Sequence, residues 1–504
     1  MLAQKKKFVN VRPAVIITAG LIMGIILGYA FAFINSRVTF GLLCLIISGL
    51  LLLLLRFVTT KIKGGIVLVS MVIIALLLGL FGIRADIYHS YKSQGKSTFS
   101  GVVWEVFSED FYDETYHYSL SVKGDFLDNT NAKVYAKFSS KHRVYQGVKI
   151  SFYGDFSLND NLSDFSFSTD IYYSVSVYES TVEIGELNGF IPALKHRLLT
   201  RLEKFSPNGY SLAYALLTGE TVYVPDAILQ DYKNVSIAHL FAVSGLHVGL
   251  VYGLIILALK LIRLKPYFRI IVVSFILLCY VGFCGFSPSS MRAFIIILVR
   301  ELAILCGLKP DSTSNLSISA FILLLINPSD LFNVGFLLSF SVYLGLILLA
   351  TPLSNALGKT LPKFIAKPLG ACIVSELVSF PILLDSFGAC SIFGFLFNLA
   401  IIPLTAFLYP IILFSSMLLC LIPVSLFATV SELTFSAINF ILGAINTNLF
   451  MVRGVTFFVA SIPYYLFLYS FAGKFNISAK SYRFLRIILL IATIFALFMV
   501  NLAY

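Results

Sequence analysis

Residues 14–34 read AVIITAGLIMGIILGYAFAFI, and residues 38–55 read VTFGLLCLIISGLLLLLL. Each run is close to the roughly 20 apolar residues that a helix needs to cross a lipid bilayer. Charged residues make up only 12% of the 504-residue chain, whereas about a quarter is usual for a soluble domain. The sequence therefore predicts a polytopic α-helical membrane protein, and the number of such runs indicates about ten to fourteen spans.

The candidate spans fall into two groups on either side of a more polar region. The first group lies at 13–34, 38–57 and 64–84, and the second at 237–262, 267–286, 288–307, 312–327, 331–350, 369–387 and several positions beyond. We therefore divide the chain into four parts: a three-span segment (1–93), a polar β-rich domain (94–187), a stretch of amphipathic helices (188–235) and a second transmembrane domain (236–504).

Basic residues set the orientation, because cytoplasmic loops of membrane proteins are enriched in lysine and arginine. They cluster before the first span and in the second loop, with a single arginine in the first loop: Lys5, Lys6, Lys7 and Arg12; Arg56, Lys61 and Lys63; and Arg37. This pattern places the N-terminus in the cytoplasm and residues 94–187 outside the inner membrane. A further basic cluster at 474–486 is expected to be cytoplasmic, which requires one candidate span between 369 and 452 to be re-entrant or interfacial.

Net charge and cysteine content carry little functional information. The formal charge of +12 is what basic cytoplasmic loops alone produce in a membrane protein. The seven cysteines all lie in apolar runs without a CxxC pair. Such cysteines behave as small buried apolar residues, so we expect neither disulfides nor a metal site, and no cofactor.

Residues 94–187 have the pattern of a small β-domain. Five stretches alternate with turns, at Thr98–Phe107, Tyr116–Val122, Lys133–Phe138, Val148–Phe156 and Ile171–Glu179. Five short strands favour a small barrel such as an OB-fold, a fold that often binds single strands. However, fourteen acidic residues against seven basic ones give a net charge of −7. We therefore expect a structural or docking role, with one basic strip as the exception: Lys133, Lys137, Lys141, Arg143 and Lys149.

Residues 188–235 contain a basic amphipathic helix. Leu194, Leu198, Leu202 and Phe205 fall on one face, and basic residues fill the rest. Such a helix either lies in the membrane interface or packs between the β-domain and the spans, and both readings are open.

Four short motifs occur in order between residues 210 and 345. They are LLTGE at 216–220, HLFAVSGLHVGL at 239–250, GFSPS at 285–289 followed by Arg292, and NP at 327–328 followed by VGFLLSF at 334–340. Together they resemble the motifs of the ComEC competence family. The three-span start, the exported β-domain and the helical core are also in that family's order.

The resemblance implies a channel, formed by the second transmembrane domain (236–504), that passes single-stranded DNA into the cytoplasm during natural transformation. It implies as partners the lipid bilayer, a separate nuclease, a DNA-receptor protein and a cytoplasmic ATP-driven translocase, and it leaves open a homo-oligomer. Many family members carry a C-terminal metallo-β-lactamase-like domain with a His-x-His-x-Asp-His metal motif. That motif does not occur in this sequence, so the resemblance is to a short form, and we expect no enzyme activity.

The 239–250 motif holds two histidines and two glycines. His239 and His247 are eight residues apart, too far for a zinc pair. An intramembrane histidine usually faces a cavity, so we place His247 on the DNA path with Ser244 beside it. For His239 two roles are open, a place on the path and a helix cap. For Gly245 and Gly249 we expect close helix packing.

The next motifs offer anion-binding features. Ser287 and Pro288 are a typical helix start, and the start of a helix attracts anions. Ser289 follows, and Arg292 lies one turn further along the predicted helix. The predicted topology brings Ser287, Arg292, His239 and Asn327 to the outer half of the membrane. The turn after Asn327 is expected to be structural, with Asp330 as an N-cap.

Glu376 is predicted near mid-membrane, either as an ion-pair partner of Arg292 or Arg300 or as a lining of the path. Two other functions compete with DNA passage. One is secondary transport of a small anionic solute. The other is intramembrane hydrolysis by His247 with Ser244 or Glu376, although no Gly-x-Ser-x-Gly or His-Glu-x-x-His signature supports it.

Overall fold

The computed structural model describes most of the sheet and of the central helices. The described residues are 13–30, 71–79, 95–112, 115–126, 129–158, 171, 173–207, 209–234, 237–241, 243–262, 264–391, 394–422, 429, 432–433, 436, 451–453 and 458–472. The predicted span at 38–57, the basic loops around it and the basic cluster at 474–486 lie outside these residues. Of the predicted span at 64–84, residues 71–79 are described and are helical.

The helices account for most of the described chain. They are α1 (Pro13–Ala30), α2 (Phe190–Phe205), α3 (Tyr210–Thr218), α4 (Asp226–Asn234), α5 (Gly245–Ile262), α6 (Pro266–Phe283), α7 (Pro288–Leu305), α8 (Ser312–Ile326), α9 (Val334–Gly345), α10 (Thr351–Leu357), α11 (Lys363–Phe387), α12 (Gly394–Leu421) and α13 (Phe458–Tyr469). A π-helical turn, Leu346–Ala350, joins α9 to α10.

Five helices in the described part of the chain are long and apolar enough to cross a membrane: α5, α6, α9 continued through α10, α11 and α12. Two shorter apolar helices lie at Pro13–Leu27 and Ser312–Ile326. Large apolar side chains such as Leu261, Phe275 and Phe407 are exposed on the outside of the bundle, where they can contact lipid. The chain is therefore a multi-pass helical membrane protein, as the composition predicted.

Helix α7 is at the centre of the bundle. It packs against α5, α6, α8 and α9. Unlike its neighbours it carries three charged residues, Arg292, Arg300 and Glu301. A helix that is both central and charged must satisfy those charges within the protein.

Short polar side chains set where several of these helices begin. Ser287 caps α7 by accepting from the backbone N–H of Ser290, and Pro288 occupies the first helical position, which confirms the predicted helix start. Asn333 caps α9 by accepting from Gly335 and Phe336. The expectation that Asp330 caps this helix is therefore wrong. Asp330 lies inside the 3-10 turn Pro328–Phe332 that precedes α9, and it accepts a hydrogen bond from Asn327.

The polar region before α2 is a six-stranded sheet. Its strands are β1 (Gly95–Tyr112), β2 (Thr115–Phe126), β3 (Asn129–Ser140), β4 (Val148–Leu158), β5 (Tyr173–Val177) and β6 (Glu183–Leu187). The order is β1-β2-β3-β5-β4-β6, and β1 also pairs with β4. All pairs are antiparallel except β3 with β5. The five predicted strands are present. Strand β6 was not predicted, because its sequence EIGEL has few of the residues that favour strands.

Helix α2 packs between the sheet and the bundle. Leu198, Leu199 and Leu202 are buried, and Arg201 donates to the backbone carbonyl of Leu419 in α12. On the other side, Glu203 receives a hydrogen bond from Arg143, which follows β3. These contacts place the amphipathic helix between the sheet and the bundle.

A buried lysine links α2 to the LLTGE motif. The Nζ of Lys195 lies 2.5 Å from Glu220 Oε1 and donates to Gln146 Oε1 at 2.8 Å. Helix α3 is almost entirely buried and ends at Gly219 in the left-handed conformation, φ 86°. Because glycine adopts this conformation without strain, the chain turns there and brings Glu220 to Lys195. Tyr214 donates to the second oxygen of Glu220.

Short strands also pair beyond the main sheet. Residues Ala389–Ser391 (β7) pair antiparallel with Met451–Arg453 (β8). This pairing joins the end of α11 to the segment that precedes α13.

Candidate functional site

The first half of the candidate site is the start of α5, where Ser244, Gly245 and His247 lie. Ser244 Oγ accepts from the backbone N–H of Leu246, and His247 Nδ1 accepts from the backbone N–H of Ser244. This reciprocal pair has the geometry of a capping box with histidine in the place of the usual Glu or Gln. Helix α5 therefore begins at Gly245, eight residues later than the predicted span at 237.

The use of Nδ1 as an acceptor determines the state of the histidine ring. A neutral imidazole that accepts at Nδ1 carries its proton on Nε2. His247 is 1% exposed and stacks on the ring of Tyr409, with ring centroids 4.4 Å apart. Tyr409 in turn shares a hydrogen bond with Tyr280. Among the described residues Nε2 has no hydrogen-bond partner, so it is a buried donor available to a ligand.

The second half of the site is Arg292, one turn into α7 and 8% exposed. Its Nη1 donates to the backbone carbonyl of Ser339 in α9 at 2.5 Å. The guanidinium lies over the rings of Phe340 and Tyr343, at 5.8 and 5.4 Å from their centroids. Within the described chain Nε lacks a partner, and no carboxylate lies within ion-pair distance of this arginine.

Gly245 joins the two halves. A Cβ added to Gly245 would lie 2.8 Å from Nη2 of Arg292, so the guanidinium rests against the first turn of α5. Ser339 adds a further link, since its hydroxyl donates to Ser289 Oγ at 3.3 Å. Arg292, Ser289 and Ser339 thus lie against the first turn of α5, the turn that contains Ser244 and His247. Because residues two apart on a helix do not share a face, His247 points to a different side of α5 from Gly245, towards Tyr409. We call these residues the donor group.

The remaining predicted site residues lie apart from this group. His239 is exposed in the 3-10 turn Ala238–Leu240. Asn327 accepts from the backbone N–H of Ser329 and donates to Asp330, so its contacts are those of a turn residue. Ser287 interacts with Ser290 as a helix cap.

Glu376 lies midway along α11 and is 9% exposed. The two arginines considered as its partners make other contacts. Arg292 contacts Ser339 and two rings, as described above, and Arg300 donates to the hydroxyl of Tyr252. The structure therefore does not join Glu376 to the site through either arginine.

The glycines of the 239–250 motif differ from the expectation of close helix packing. The atom nearest to a Cβ at Gly245 belongs to the Arg292 side chain, and at Gly249 nothing lies within 4 Å. The packing role is therefore wrong for Gly249. At Gly245 the small residue makes room for a charged side chain.

Sequence reasoning did not identify four residues that complete the site: Ser339, Phe340, Tyr343 and Tyr409. Ser339 and Phe340 belong to the VGFLLSF motif at 334–340, so the motif was a usable signal for them. Tyr409 lies in an apolar helix more than 150 residues from His247, and no local pattern marks it.

Chemically, the site suits an anion. It offers a guanidinium and hydroxyl groups, with a buried imidazole N–H in the adjacent turn of α5, and among the described residues Arg292 and Ser339 form no hydrogen bond to a carboxylate. Charge-assisted hydrogen bonds from arginine are the usual means of holding phosphate groups. In the described part of the chain, no group of three or more His, Cys, Asp or Glu side chains is arranged to hold a metal ion.

The site lies in the part of the chain that is similar to known proteins. A family model described as "Competence protein" matches residues 216–499. ComE operon protein 3 of Bacillus subtilis is 28% identical over 312 residues, which are 59% of this chain and 38% of that protein. Recombination protein 2 of Haemophilus influenzae is 27% identical over 127 residues, 24% of this chain and 16% of that protein.

An uncharacterised protein of Mycoplasma pneumoniae is 28% identical over 149 residues, 29% of this chain and 38% of that protein. The chain thus spans less than half the length of each of these relatives. No solved structure matches the chain. The matched region of the family model contains every residue of the donor group and excludes the six-stranded sheet.

Proposed function

The chain belongs to the Competence protein family, and on this premise we propose that it is an inner-membrane channel through which single-stranded DNA enters the cytoplasm. The observation that carries the proposal is Arg292, a buried arginine without a carboxylate partner among the described residues. The substrate of such a channel is a polyanion, and this site presents cationic and neutral donors to it.

A comparison within the bundle shows why Arg292 is unusual. Arg269 is also near the membrane, and its Nη2 donates to Glu301 at 2.8 Å, while Tyr252 donates to the other oxygen of the same carboxylate. That arrangement neutralises charge within the protein. A buried arginine is costly in a membrane helix, and the single carbonyl and two ring faces that Arg292 contacts offset that cost less fully than a carboxylate does. An arginine whose charge is not neutralised by a carboxylate of the protein is suited to bind the phosphate groups of a passing DNA strand.

The β-domain has the strand pairing of a closed sheet. Strand β1 pairs with both β2 and β4, and β3, β5 and β4 complete the circuit. We therefore extend the proposal to an OB-like barrel on the outer side of the membrane. The distribution of basic residues over the first two loops supports this orientation.

The proposed channel requires other components. The chain contains no Gly-x-x-x-x-Gly-Lys-Ser/Thr loop, so ATP would act through a cytoplasmic translocase. A DNA receptor, a separate nuclease and further copies of the chain in the bilayer complete the proposed set of partners. The protein itself is proposed to carry no catalytic activity, so purified protein with Mn²⁺ should leave single-stranded DNA intact; cleavage that persists through stringent purification would overturn this point.

The decisive experiment measures DNA uptake in competent cells whose only copy of the gene carries the variant Arg292→Ala. Loss of a charge-assisted hydrogen bond of about 1.5–3 kcal/mol predicts a decrease of roughly 10- to 150-fold in transformation. Membrane abundance should stay near that of the wild type. Arg292→Lys should recover part of the activity, because a point charge remains.

Arg300→Ala is the matched control, since Arg300 lies on the same helix, is exposed and contacts Tyr252. It should leave uptake nearly unchanged. If Arg292→Ala lowers abundance and uptake in parallel, and Arg292→Lys recovers neither, Arg292 is structural and the proposal fails.

A further inference from the structure

Two neighbouring carbonyl groups inside α11 accept hydrogen bonds from helix α13. The hydroxyl of Tyr464 donates to the carbonyl of Leu377 at 2.7 Å. The hydroxyl of Tyr465, the next residue, donates to the carbonyl of Val378 at 2.8 Å. A carbonyl inside a helix normally accepts from the backbone N–H four residues later, so hydroxyl donors from another helix at two successive carbonyls require a local cause.

Pro381 is that cause. It lies inside α11, four residues after Leu377, where it has no N–H to donate and its ring displaces the Leu377 carbonyl. Inside a bilayer no water replaces the missing donor, so a neighbouring helix must supply one. We call Leu377, Val378 and Pro381 the α11 break, and Tyr464 with Tyr465 the tyrosine pair. Each of the two depends on the other.

Val378 also connects the α11 break to the donor group. A Cβ added to Gly345 of α9 would lie 2.6 Å from Val378 Cγ2, so α9 and α11 are in close contact at this point. Two residues before Gly345 is Tyr343, and the guanidinium of Arg292 lies over its ring. A movement of α11 at the break is therefore passed to the helix that holds Arg292.

The helices around the break have a small apolar core of their own. Leu349, Val374 and Val378 are buried in it, and the rings of Tyr465 and Tyr469 pack against it. It is separate from the main core, which contains side chains of the sheet, of α2, of α3 and of α5 to α8. Conformational changes in proteins commonly take place between separately packed units, through a few residues that act as a hinge.

The far end of α11 leads into the short ribbon formed by β7 and β8. Helix α11 ends at Phe387, the chain turns at Gly388 with φ 68°, and β7 follows at once. Helix α4 packs against β7. The orientation predicted from the basic residues places this ribbon on the outer side of the membrane, where a DNA strand would enter.

We propose that the α11 break is a hinge and that the tyrosine pair is its latch, which holds α11 in the position where the β7–β8 ribbon closes the outer end of the path. The existence of that path rests on the function proposed above. The latch consists of two neutral hydrogen bonds, and one such bond within a membrane protein shifts an equilibrium by about threefold on average. A latch of this strength holds the closed position and still opens during transport.

A distance measurement tests the hinge without DNA. Full-length protein in detergent micelles carries spin labels at Phe190→Cys and Phe387→Cys, with the seven native cysteines replaced by alanine. Both positions are exposed; Phe190 begins α2, beside the main core, and Phe387 ends α11. The double variant Tyr464→Phe/Tyr465→Phe removes both hydroxyls and keeps both rings. The ratio of the unlatched to the latched distance population should rise roughly 8-fold, the combined effect of two bonds.

Tyr469→Phe is the matched control, because it makes the same change on the same helix in a ring that stacks on Tyr465. It should leave the distances as in the wild type. Pro381→Ala returns an N–H to α11 and removes the need for the tyrosine pair. This variant should show the unlatched distance by itself, and adding the two tyrosine changes to it should have no further effect.

A purely structural role for the tyrosine pair predicts a different result. Tyr464→Phe/Tyr465→Phe would then lower the unfolding temperature and leave the distances unchanged, which would overturn the proposal. Additive effects of the proline and tyrosine changes would also overturn it, because the hinge and its latch would then be independent. So would a response in Tyr469→Phe equal to that of the tyrosine pair.

Release of a small fluorescent anion from proteoliposomes tests whether the hinge closes the path. At equal protein content, Tyr464→Phe/Tyr465→Phe should release the anion roughly 8-fold faster than the wild type, and Tyr469→Phe should not. A changed distance with unchanged release would overturn the closure of the path by the hinge. The channel proposal is decided separately, by the uptake of DNA in cells that carry Arg292→Ala, so the two failures are distinguishable.

Discussion

The guanidinium of Arg292 occupies the space in which a side chain at Gly245 would lie, since a Cβ there would be 2.8 Å from Nη2. One turn later on the same helix, a Cβ at Gly249 would meet nothing within 4 Å. The two glycines therefore look alike in sequence and differ in structure. The first keeps the start of α5 open to the arginine of α7, and the second borders open space.

This difference gives the first prediction. Gly245→Ala should push the guanidinium from its position, since a contact below 3.0 Å forces one of the two groups to move. DNA uptake should fall by about tenfold, which corresponds to weakening a charge-assisted hydrogen bond by about 1.4 kcal/mol. Membrane abundance should change little, because the displaced atom is the end of a flexible side chain. Transformation frequency and immunoblots of membranes are the measurements.

Gly249→Ala is the matched control for that prediction, with the same change of residue on the same helix. It should leave uptake close to that of the wild type. Equal losses in the two variants would mean that the helix, and not the arginine, requires glycine.

The second prediction concerns the pair of Lys195 and Glu220. Lys195 is 3% exposed and has Glu220 as its carboxylate partner, so Glu220→Ala leaves a buried ammonium group with only the Gln146 oxygen. Removing one partner of a buried pair typically costs about 3–5 kcal/mol. Because Glu220 is partly exposed, we expect the free energy of unfolding to fall by about 3 kcal/mol, the lower end of this range. Denaturation of the purified protein in micelles measures it.

Glu220→Gln should recover part of this loss, since an oxygen acceptor remains for Lys195. The control is Lys204→Ala, which removes an exposed lysine from α2, the helix that also carries Lys195. It should change the free energy of unfolding by no more than about 0.5 kcal/mol. If Glu220→Ala is as stable as Lys204→Ala, the LLTGE motif does not act through this contact.

The third prediction is a pH dependence at the same interface. The His196 ring packs on Tyr145, with centroids 4.4 Å apart. Burial, and then the positive charge of Arg143, lower the pKa of His196 below its ordinary value of 6.5. The unfolded chain therefore binds a proton more readily than the folded one, so the contribution of His196 to stability is lost as pH falls from about 6.5 towards the lowered pKa.

Two carboxyl groups nearby act in the opposite sense, because burial raises the pKa of Glu105 and of Glu109 above 4.5. The test must therefore isolate the histidine. His196→Phe keeps a ring against Tyr145 and removes the titration. The unfolding midpoint of the wild type should fall relative to this variant between about pH 7.5 and pH 5; parallel curves for the two proteins would contradict the assignment.

How far the sequence predicts this structure depends on whether a feature is local. The cap at Ser287 with Pro288 and the alternation of the five strands are local patterns, and both are present. The start of α5 was misplaced because apolar residues continue upstream of Gly245, whereas the helix begins where Ser244 and His247 satisfy its free backbone groups.

The contacts of Arg292 were beyond sequence reasoning for a different reason. Its partner Ser339 is brought close only by the packing of α7 against α9. Sequence reasoning suggests Glu376 as the charge partner of Arg292, because it takes account only of residue type and of depth in the membrane. Several polar groups lie at similar depth in the membrane, and the rotation and packing of the helices decide which of them come into contact. Hydrophobic periodicity specifies neither the rotation nor the packing.

The last prediction tests the orientation on which the proposed direction of transport depends. Lys141 lies exposed after β3, and Lys265 lies exposed between α5 and α6. If the N-terminus is cytoplasmic, the first is outside the membrane and the second inside. Lys141→Cys should then react with a membrane-impermeant thiol reagent in intact cells, whereas Lys265→Cys should react only after lysis.

The parent protein provides the baseline for this labelling. Its seven cysteines lie in apolar runs, but Cys279 and Cys306 are exposed, so the labelling of the parent is measured first and subtracted. Both variants replace an exposed lysine, so neither is expected to disturb the core, and uptake of DNA should be retained in each. Labelling of Lys265→Cys but not Lys141→Cys in intact cells would invert the topology. The sheet would then face the cytoplasm, and the proposed direction of transport would lose its support.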